Sequence, residues 1–501
     1  MTLYLGIDLG TQSLKTVLLD PQRGVLADAA APLRMLPGLA AGHAEQDPAE
    51  WLAALRVAVP AVLAQVPGAK ERVRALGVSG QQHGFVPLDQ ARQVIRPAKL
   101  WNDVSSAPQC AALTRELGGR QRLFERLGNQ FAPGFTAGKI RWLAEQEPRN
   151  FARLAHVLLP HDYLNLHLTG ELCCEAGDAS GTALFDVRQR RFAASVCTAV
   201  APGLPRMLPP LRAPGEPAGR LTPAAAAELG LPVGVLVSHG SGDNMMAAIG
   251  AGAVRSGIAV LSLGTSGTVF ACAEQPVCDP QGEIAAFCDA SGRWLPLGCT
   301  MNATVSSEVA RKLLGLDLAE FESLIAATPP GAEGVLCLPF FTGERSPDLP
   351  LAKGAFLGLT PHNARPPALA RAAVEGATYA LARLFDRLQA LGLAVHEVRL
   401  TGGGSQSRTW QQICAAVLGR PVVTGISADA AALGAAIHAC WTQRRQHEPG
   451  LTLERCAREL DLERGLHVLA PDPQWLGIYA LRRQAYAKAV AALTPVFGDL
   501  A

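Results

Sequence analysis

Ile7-Asp8-Leu9-Gly10-Thr11-Gln12-Ser13, near the start of the chain, is echoed past its middle by Leu261-Ser262-Leu263-Gly264-Thr265-Ser266-Gly267. Each copy is an apolar strand running into Leu-Gly-Thr and a polar residue, after which a second apolar strand returns. The two glycines stand at positions 10 and 264 of 501, about half the chain apart. A single Gly-Thr turn is common and says little. Two at this separation predict a duplicated architecture whose halves face each other.

Glycine at a hairpin tip lets the backbone approach a ligand with no Cβ in the way. Successive N–H groups there form a concave nest for anions, to which Thr and Ser hydroxyls add donors. Facing hairpins therefore suit a polyphosphate, and Gly10, Thr11, Gln12, Gly264 and Thr265 are the candidate contacts. Asp8, just before the first tip, is the hard-oxygen group for Mg²⁺, held directly or through water. Lys15 adds a positive charge to the same hairpin or is an ordinary surface lysine. A third cluster, Gly402-Gly403-Gly404-Ser405-Gln406, follows a predicted strand over 397–401 and precedes a predicted helix over 410–418. It matches neither the dinucleotide fingerprint nor the P-loop. Two readings stay open for it, a nucleotide-approach loop and a tight packing turn.

Other segments fit this frame. The pattern predicts a helix over 48–65, with Asp47 as N-cap and Pro48 at its first position. Strands are expected at 73–79, 235–238 and 258–263, and a long amphipathic helix at 368–391. Strands alternating with helices indicate an α/β fold. Apolar residues make up 49% and charged residues 18%, which excludes a disordered chain. Forty-five basic against 43 acidic side chains leave no basic field for nucleic acid. No apolar run approaches the ~20 residues of a membrane span, and the opening residues lack a secretory pattern. Twelve cysteines without a C-x-x-C pair read as buried thiols in a reducing cytoplasm.

Two longer segments are more specific. Gly134-Phe135-Thr136-Ala137-Gly138-Lys139-Ile140-Arg141-Trp142-Leu143-Ala144-Glu145-Gln146 resembles, at every defined position, the first signature of the FGGY carbohydrate kinases, a branch of the actin/hexokinase-type ATPases. Gly354-Ala355-Phe356-Leu357-Gly358-Leu359, continuing to Leu369 and Ala372-Ala373-Val374-Glu375, resembles the second. Ala368 departs from it, standing where the family prefers a polar or acidic side chain. The resemblance spans about residues 3–490. It implies two actin-like, ribonuclease H-like α/β domains, 1–245 and 246–501, with an interdomain cleft for ATP, Mg²⁺ and a small sugar. It also implies a cytoplasmic enzyme and a homodimer.

Three further segments resemble the xylulose-phosphorylating members of that family: Val78-Ser79-Gly80-Gln81-Gln82-His83-Gly84, Leu100-Trp101-Asn102-Asp103 and Gly240-Ser241-Gly242-Asp243-Asn244. All place polar groups at strand ends, where open α/β sheets bind ligands. By resemblance Asp243 is the base that meets the attacking hydroxyl, ionised at neutral pH as an ordinary Asp is. From its tripeptide alone it reads as a helix cap. Gln82, His83, Trp101, Asn102, Asp103 and Asn244 are the implied sugar contacts, although a lone His after a strand and a buried Trp at a turn have structural readings too. Phe340–Pro347 is also family-like, and within it Glu344 and Arg345 suit an ion pair stiffening a loop. Asp429–Ile437 reads as a small-residue hinge helix, and Arg482 and Arg483 as a solvated helix face. The implied reaction is phosphorylation of D-xylulose by ATP. Alternatives are the same chemistry on ribulose, gluconate or glycerol, a non-catalytic sugar-responsive regulator, and an ATPase acting on protein partners.

Overall fold

The computed structural model describes residues 2–461, 463 and 465–500. Two seven-stranded sheets organise it. The first runs Pro217–Arg220, Leu236–Ser238, Val73–Gly80, Leu3–Leu9, Ser13–Asp20, Gly24–Pro32 in spatial order, with Ser241–Gly242 pairing beyond the end of the 236–238 strand on Val73–Gly80. The second runs Ile284–Ala285, Leu297–Thr300, Gly267–Ala271, Ile258–Leu263, Glu397–Thr401, Val422–Thr424, His467–Leu469.

The expected duplication is present in the strand pairing. In each sheet a central strand (3–9 or 258–263) makes an antiparallel hairpin with the next, which pairs antiparallel with a third. On its other side each central strand has two parallel neighbours and then an antiparallel edge strand. The copies differ at that edge: 217–220 precedes its partner in the chain, whereas 467–469 follows.

Alternation along the central strands decides what covers each face. Leu3, Leu5, Ile7 and Leu9 pack with Trp51, Leu55, Val59 and Val62 of the helix Pro48–Ala64. That helix starts as predicted, Asp47 accepting from the Ala49 N–H at 2.9 Å. Tyr4 faces the opposite side, into a cluster with Ala432, Ala436, Ile437 and Trp441. These belong to the helix Ala430–Arg445, so the second half of the chain supplies the cover for the first sheet. Contact here is backbone to backbone. A Cβ on Gly6 would lie 1.8 Å from the Ala432 carbonyl oxygen, and one on Gly77 2.3 Å from that of Ala435.

In the second sheet Ala259, Leu261 and Leu263 join the core of the long helix Pro366–Ala390, while Ile258 and Val260 meet Met245 and Ala248 of the helix Asp243–Gly250. The long helix begins two residues before the predicted Ala368, at a Pro-Pro pair suited to a first turn. Ala368 is fully buried beside Ala332, Val335, Cys337 and Ala372. Its contact is apolar packing, which accounts for the missing polar side chain.

Two expectations fail in the second half. Glu344 forms no ion pair with Arg345 among the described residues. Its buried carboxylate accepts from the Thr300 hydroxyl at 2.7 Å, the Met301 N–H at 2.8 Å and the Arg345 backbone N–H at 2.7 Å. It stiffens the loop by collecting backbone donors. Arg482 and Arg483 are half-buried and do more than face solvent: they reach from the helix Pro473–Phe497 to the carbonyls of Gly334, Val335 and Val417. Unfilled carbonyls at element ends attract long cationic donors, a long-range effect that helix periodicity does not register. Among the described residues, no helix is long and apolar enough to cross a membrane.

Helices 243–250 and 430–445 cross at glycines. A Cβ on Gly434 would sit 1.8 Å from the Met246 oxygen, and one on Gly250 1.8 Å from that of Ala430. Gly434→Ala is therefore expected to destabilise by about 1–3 kcal/mol or more through overpacking, read as a lower urea midpoint. An unchanged midpoint would show that the crossing yields freely.

Candidate active site

Strand register assembles the crevice. Asp8 lies beside Ser79 and Leu9 beside Gly80, and the same two residues pair with Ser241 and Gly242. Three parallel strand ends therefore deliver Asp8, Gln82 and Asp243 to one edge of the first sheet. The Ser79 hydroxyl donates to Asp8 Oδ1 at 2.7 Å. Asp243 is the first residue of its helix, whose N-cap is Gly242, so the capping reading fails. Its Oδ1 accepts from the Asn244 backbone N–H at 2.8 Å and from Asn244 Nδ2 at 2.9 Å. That same Nδ2 donates to Gln82 Oε1 at 2.9 Å. A Cβ at Gly242 would stand 2.5 Å from Gln82 Cγ, so the chain Gln82–Asn244–Asp243 needs a glycine there.

Burial, then the charges of Asp8 and Asp178, push the Asp243 carboxyl up to about 8. The expectation of an ordinary carboxylate, ionised at neutral pH, is thus overturned. Desolvation and like charge act in the same direction, and two Asn244 donors do not cancel them. Asp8 is also raised, by burial, with Ser79 and Lys15 opposing and Asp429 adding. Lys15 is not a free surface lysine: it faces Asp8 across the hairpin and pairs with Asp429 at 2.8 Å. Asp429 directly precedes the helix Ala430–Arg445, so the second half of the chain touches the first hairpin here.

His83 adopts φ 64°, a left-handed conformation costly for a residue with a side chain. Two contacts hold its backbone: Lys139 Nζ donates to the His83 oxygen at 2.8 Å and the Thr136 hydroxyl at 3.2 Å, while the same Nζ also donates to the Gly134 oxygen at 2.7 Å. The ring packs against Phe135 and Phe287, centroids 4.5 and 5.7 Å away. Gly181 must be glycine, since a Cβ there would lie 2.3 Å from His83 Nδ1. Burial, with Lys139 and Arg345 nearby, keeps the imidazole neutral. Among the described residues its Nδ1, like the neighbouring Gln82 Nε2, is buried with no hydrogen-bond partner.

The Trp101–Asp103 segment behaves differently. The Trp101 indole N–H donates to the Thr11 hydroxyl at 3.0 Å, and that hydroxyl donates to Gln81 Oε1 at 3.0 Å. Gln81 continues to Gln46 at 3.0 Å, which grips the Thr11 carbonyl at 2.7 Å. Trp101 therefore braces the hairpin tip. Asn102 is exposed. Asp103 is fully buried with its oxygens spent on Ala44 N, Lys99 Nζ and Ser105, so it is not offered to a ligand in the crevice. His43, Glu45 and Asp103 lie close enough together to suggest a metal site. The Lys99 ammonium already sits among them, 3.0 Å from Glu45, 3.1 Å from Asp103 and 3.3 Å from His43.

At the first tip the Gly10 N–H closes on Ser13 at 3.1 Å, leaving half-buried Thr11 and exposed Gln12 outermost. At the second, Ser262 pairs with Thr401, bringing the third glycine cluster alongside. Gly402 and Gly404 are packing glycines whose Cβ atoms would stand 2.7 and 2.9 Å from Leu263. The Ser405 hydroxyl turns back to the Gly402 carbonyl at 2.7 Å. Gly403, with nothing within 4 Å, Gln406 and Thr265 are exposed, and Gly264 is half-buried.

A buried ionic cluster behind Asp243 escaped the sequence reading. His161 Nδ1 meets Asp178 at 2.9 Å and its Nε2 meets Asp162 at 3.0 Å. Glu175 accepts from the Ser241 hydroxyl at 2.7 Å, two positions before Asp243. Burial is the largest influence on each: it raises Glu175 to about 7 and Asp162 to about 6, while the surrounding carboxylates outweigh it at His161 and lift that imidazole to about 9. The available signals were the His161-Asp162 dipeptide at a helix start and the Glu175/Asp178 spacing.

Comparison with known proteins finds relatives along most of the chain. A xylulose kinase from Haemophilus influenzae is 40% identical over 445 residues, 88% of this chain and 90% of that one. A xylulose kinase from Escherichia coli is 36% identical over 502 residues, 99% and 100% of the two chains. The crystal structure of a Brucella ovis protein described as a xyloylose kinase matches with TM-score 0.91 at 33% identity, covering 99% of this chain and all of that one. Family models for the N- and C-terminal domains of the FGGY carbohydrate kinases match residues 3–250 and 259–443, and the chain belongs to that family.

Proposed function

We propose that this chain transfers the γ-phosphoryl group of ATP to the terminal hydroxyl of D-xylulose, giving D-xylulose 5-phosphate and ADP. Membership of a carbohydrate-kinase family makes a sugar and ATP its substrates. The observation that carries the sugar side is Gln82 Nε2, a buried, unpartnered donor whose amide oxygen is tied through Asn244 to Asp243. Buried polar atoms are normally paired, and a polyhydroxylated ligand supplies the partner. The xylulose kinases among the relatives favour the pentulose.

In this reading Asn244 fixes Asp243 Oδ1 and leaves Oδ2 for the acceptor hydroxyl. As the new O–P bond forms and the bond to ADP breaks, the hydroxyl proton passes to Asp243. A carboxylate of raised proton affinity is a better acceptor at that late stage, provided it is ionised beforehand. Neutral His83 and Gln82 hold the sugar oxygens, with Trp101 keeping the first tip in place. Asp8, with Oδ1 fixed by Ser79 and a proton affinity raised by burial, fits a hard cation held directly or through water. Mg²⁺ there supplies positive charge for the phosphates. The phosphate contacts are the backbone at Thr11, Gln12, Gly264 and Thr265, with Gly403 and Gln406 nearest the nucleotide; the Gly10 N–H, expected to join them, is spent on the Ser13 carbonyl. The lobes divide near residue 245, sugar side before and nucleotide side after. Twelve free cysteines suit a reducing cytoplasm as its place of action.

Asp243→Ala is expected to lower kcat on the order of 10²–10⁴-fold while sugar and nucleotide still bind. Near-normal turnover in the folded variant dismisses the assignment. ADP release measured over xylulose, ribulose, gluconate and glycerol at matched concentrations tests the substrate, and clear preference for another acceptor overturns xylulose. Asp243 also makes a stability prediction. Between the unfolded value of about 3.9 and the folded value of about 8, the native state holds the extra proton, so rising pH weakens it. Asp243→Asn removes that loss: its stability relative to the wild type should climb from pH 4 to pH 8 and then level. A difference constant with pH in urea titrations refutes the raised carboxyl.

A further inference from the structure

We propose that Cys440 and Cys456 are a dithiol that hydrogen peroxide converts to a disulfide. Cys440 lies on the helix Ala430–Arg445 and Cys456 on the short helix Leu453–Glu459 that packs beside it. Their sulfurs are 3.9 Å apart, in contact. A disulfide needs about 2.05 Å, so the short helix must move inward by a fraction of a side-chain length. It is tied to its neighbour by a connection of seven residues, 446–452, which is itself held by the Trp441 indole donating to the Leu451 carbonyl at 2.8 Å and by Glu448 pairing with Arg455, so the approach has to come from a small shift together with rotation of the cysteine side chains.

Both thiols are nearly inaccessible, at 1% and 0% exposure, which by itself argues for inertness. A cavity of about 440 Å³ changes that. Tyr4, Asp20, Cys440 and Arg444 line it and exposed Gln22 stands at its rim, so a small neutral oxidant reaches Cys440. Arg444, one turn beyond Cys440, holds Nη1 4.0 Å from Cys456 Sγ and pairs through Nη2 with Glu459 at 2.6 Å. Tyr4 faces the pair from the first strand, its hydroxyl donating to Gln443 at 3.0 Å. The contact with Cys456 lowers the proton affinity of Cys440, aided by Tyr4 and Arg444 against burial, while Cys456 is driven up. Cys440 lines the cavity and Cys456 does not, which suits Cys440 as the attacking and Cys456 as the resolving sulfur.

The step balances. The Cys440 thiolate attacks peroxide, the O–O bond breaks, and hydroxide leaves a sulfenic acid. The Cys456 sulfur then attacks Cys440 Sγ, the S–O bond breaks, and with the Cys456 proton the departing oxygen becomes water. Two thiols lose two electrons and one peroxide becomes two waters. Nothing in the phosphoryl-transfer reading is required.

The test treats the full chain with graded peroxide, alkylates it under denaturing conditions and maps the peptides by mass. The expected product joins the Cys440 and Cys456 peptides, two hydrogens lighter than the free pair, and reverts with dithiothreitol. It should form at peroxide levels that leave Cys337 and Cys414 alkylatable. Cys456→Ser should halt at a sulfenic acid on Cys440, captured by dimedone. The proposal is overturned if both thiols stay alkylatable, if the link forms only alongside oxidation of Cys337 and Cys414, or if peroxide oxidises Cys440 past the sulfenic stage in the wild type without linking.

Discussion

Everything near the crevice depends on the close seating of helix 430–445. It lies on the first sheet through Gly6 and Gly77 and on helix 243–250 through Gly250 and Gly434, at separations only glycine tolerates. One end of helix 243–250 carries Asp243, and the residue before helix 430–445 is Asp429, paired with Lys15 across the hairpin from Asp8. The two carboxylates of the crevice are thus located by the same interlock. Because Tyr4, Ala75 and Leu236 share a core with Ala432, Ala436 and Trp441, the first half is not closed without the second. Small residues at such a crossing also let packed helices slide slightly, the kind of shear that domain closure uses.

Around that frame the electrostatics are unbalanced in one direction. Asp8 and Asp178 raise Asp243, and Glu175 and Asp162 stand behind it, with His161 in contact with Asp178 and Asp162 and Lys15 opposite Asp8 on the hairpin. A buried cluster of like charges lowers stability, and functional sites are where such clusters persist. The excess of negative charge also has a direction. It raises proton affinity where an alcohol proton must be accepted, and it draws positive charge to Asp8, where a triphosphate needs neutralising. Both follow from one arrangement of carboxylates, so changing Asp178 would shift the acceptor without touching a substrate.

How much of this was legible depended on how local each constraint is. The twin hairpins were readable because a glycine tip between apolar strands is specified by a few consecutive residues. So were Asp8, Asp243 and Asn244, which sit at the ends of short strands that register brings together. Ionisation was not readable: the state of Asp243 is set first by its burial and then by Asp8 and Asp178, far away in sequence. Asp103 looked available because nothing in Trp101-Asn102-Asp103 reveals that Lys99, Ala44 and Ser105 consume its oxygens. Glu344 misled for the opposite reason, since a neighbouring Arg suggests an ion pair while the fold supplies backbone donors instead.

Lys139 shows how a family signature acquires physical content. It is fully buried, and burial lowers its amine to about 7, close to losing its charge. An ammonium has three donors and a neutral amine has two. Lys139 Nζ serves two carbonyls, those of His83 and Gly134. Both can therefore be satisfied in either protonation state, and the left-handed turn at His83 does not loosen as pH changes. Methionine would fill the space but orphan both carbonyls, and arginine would bring a permanent charge into the same enclosure. The requirement is for a long, slender donor that remains one after deprotonation, and lysine alone among the side chains meets it.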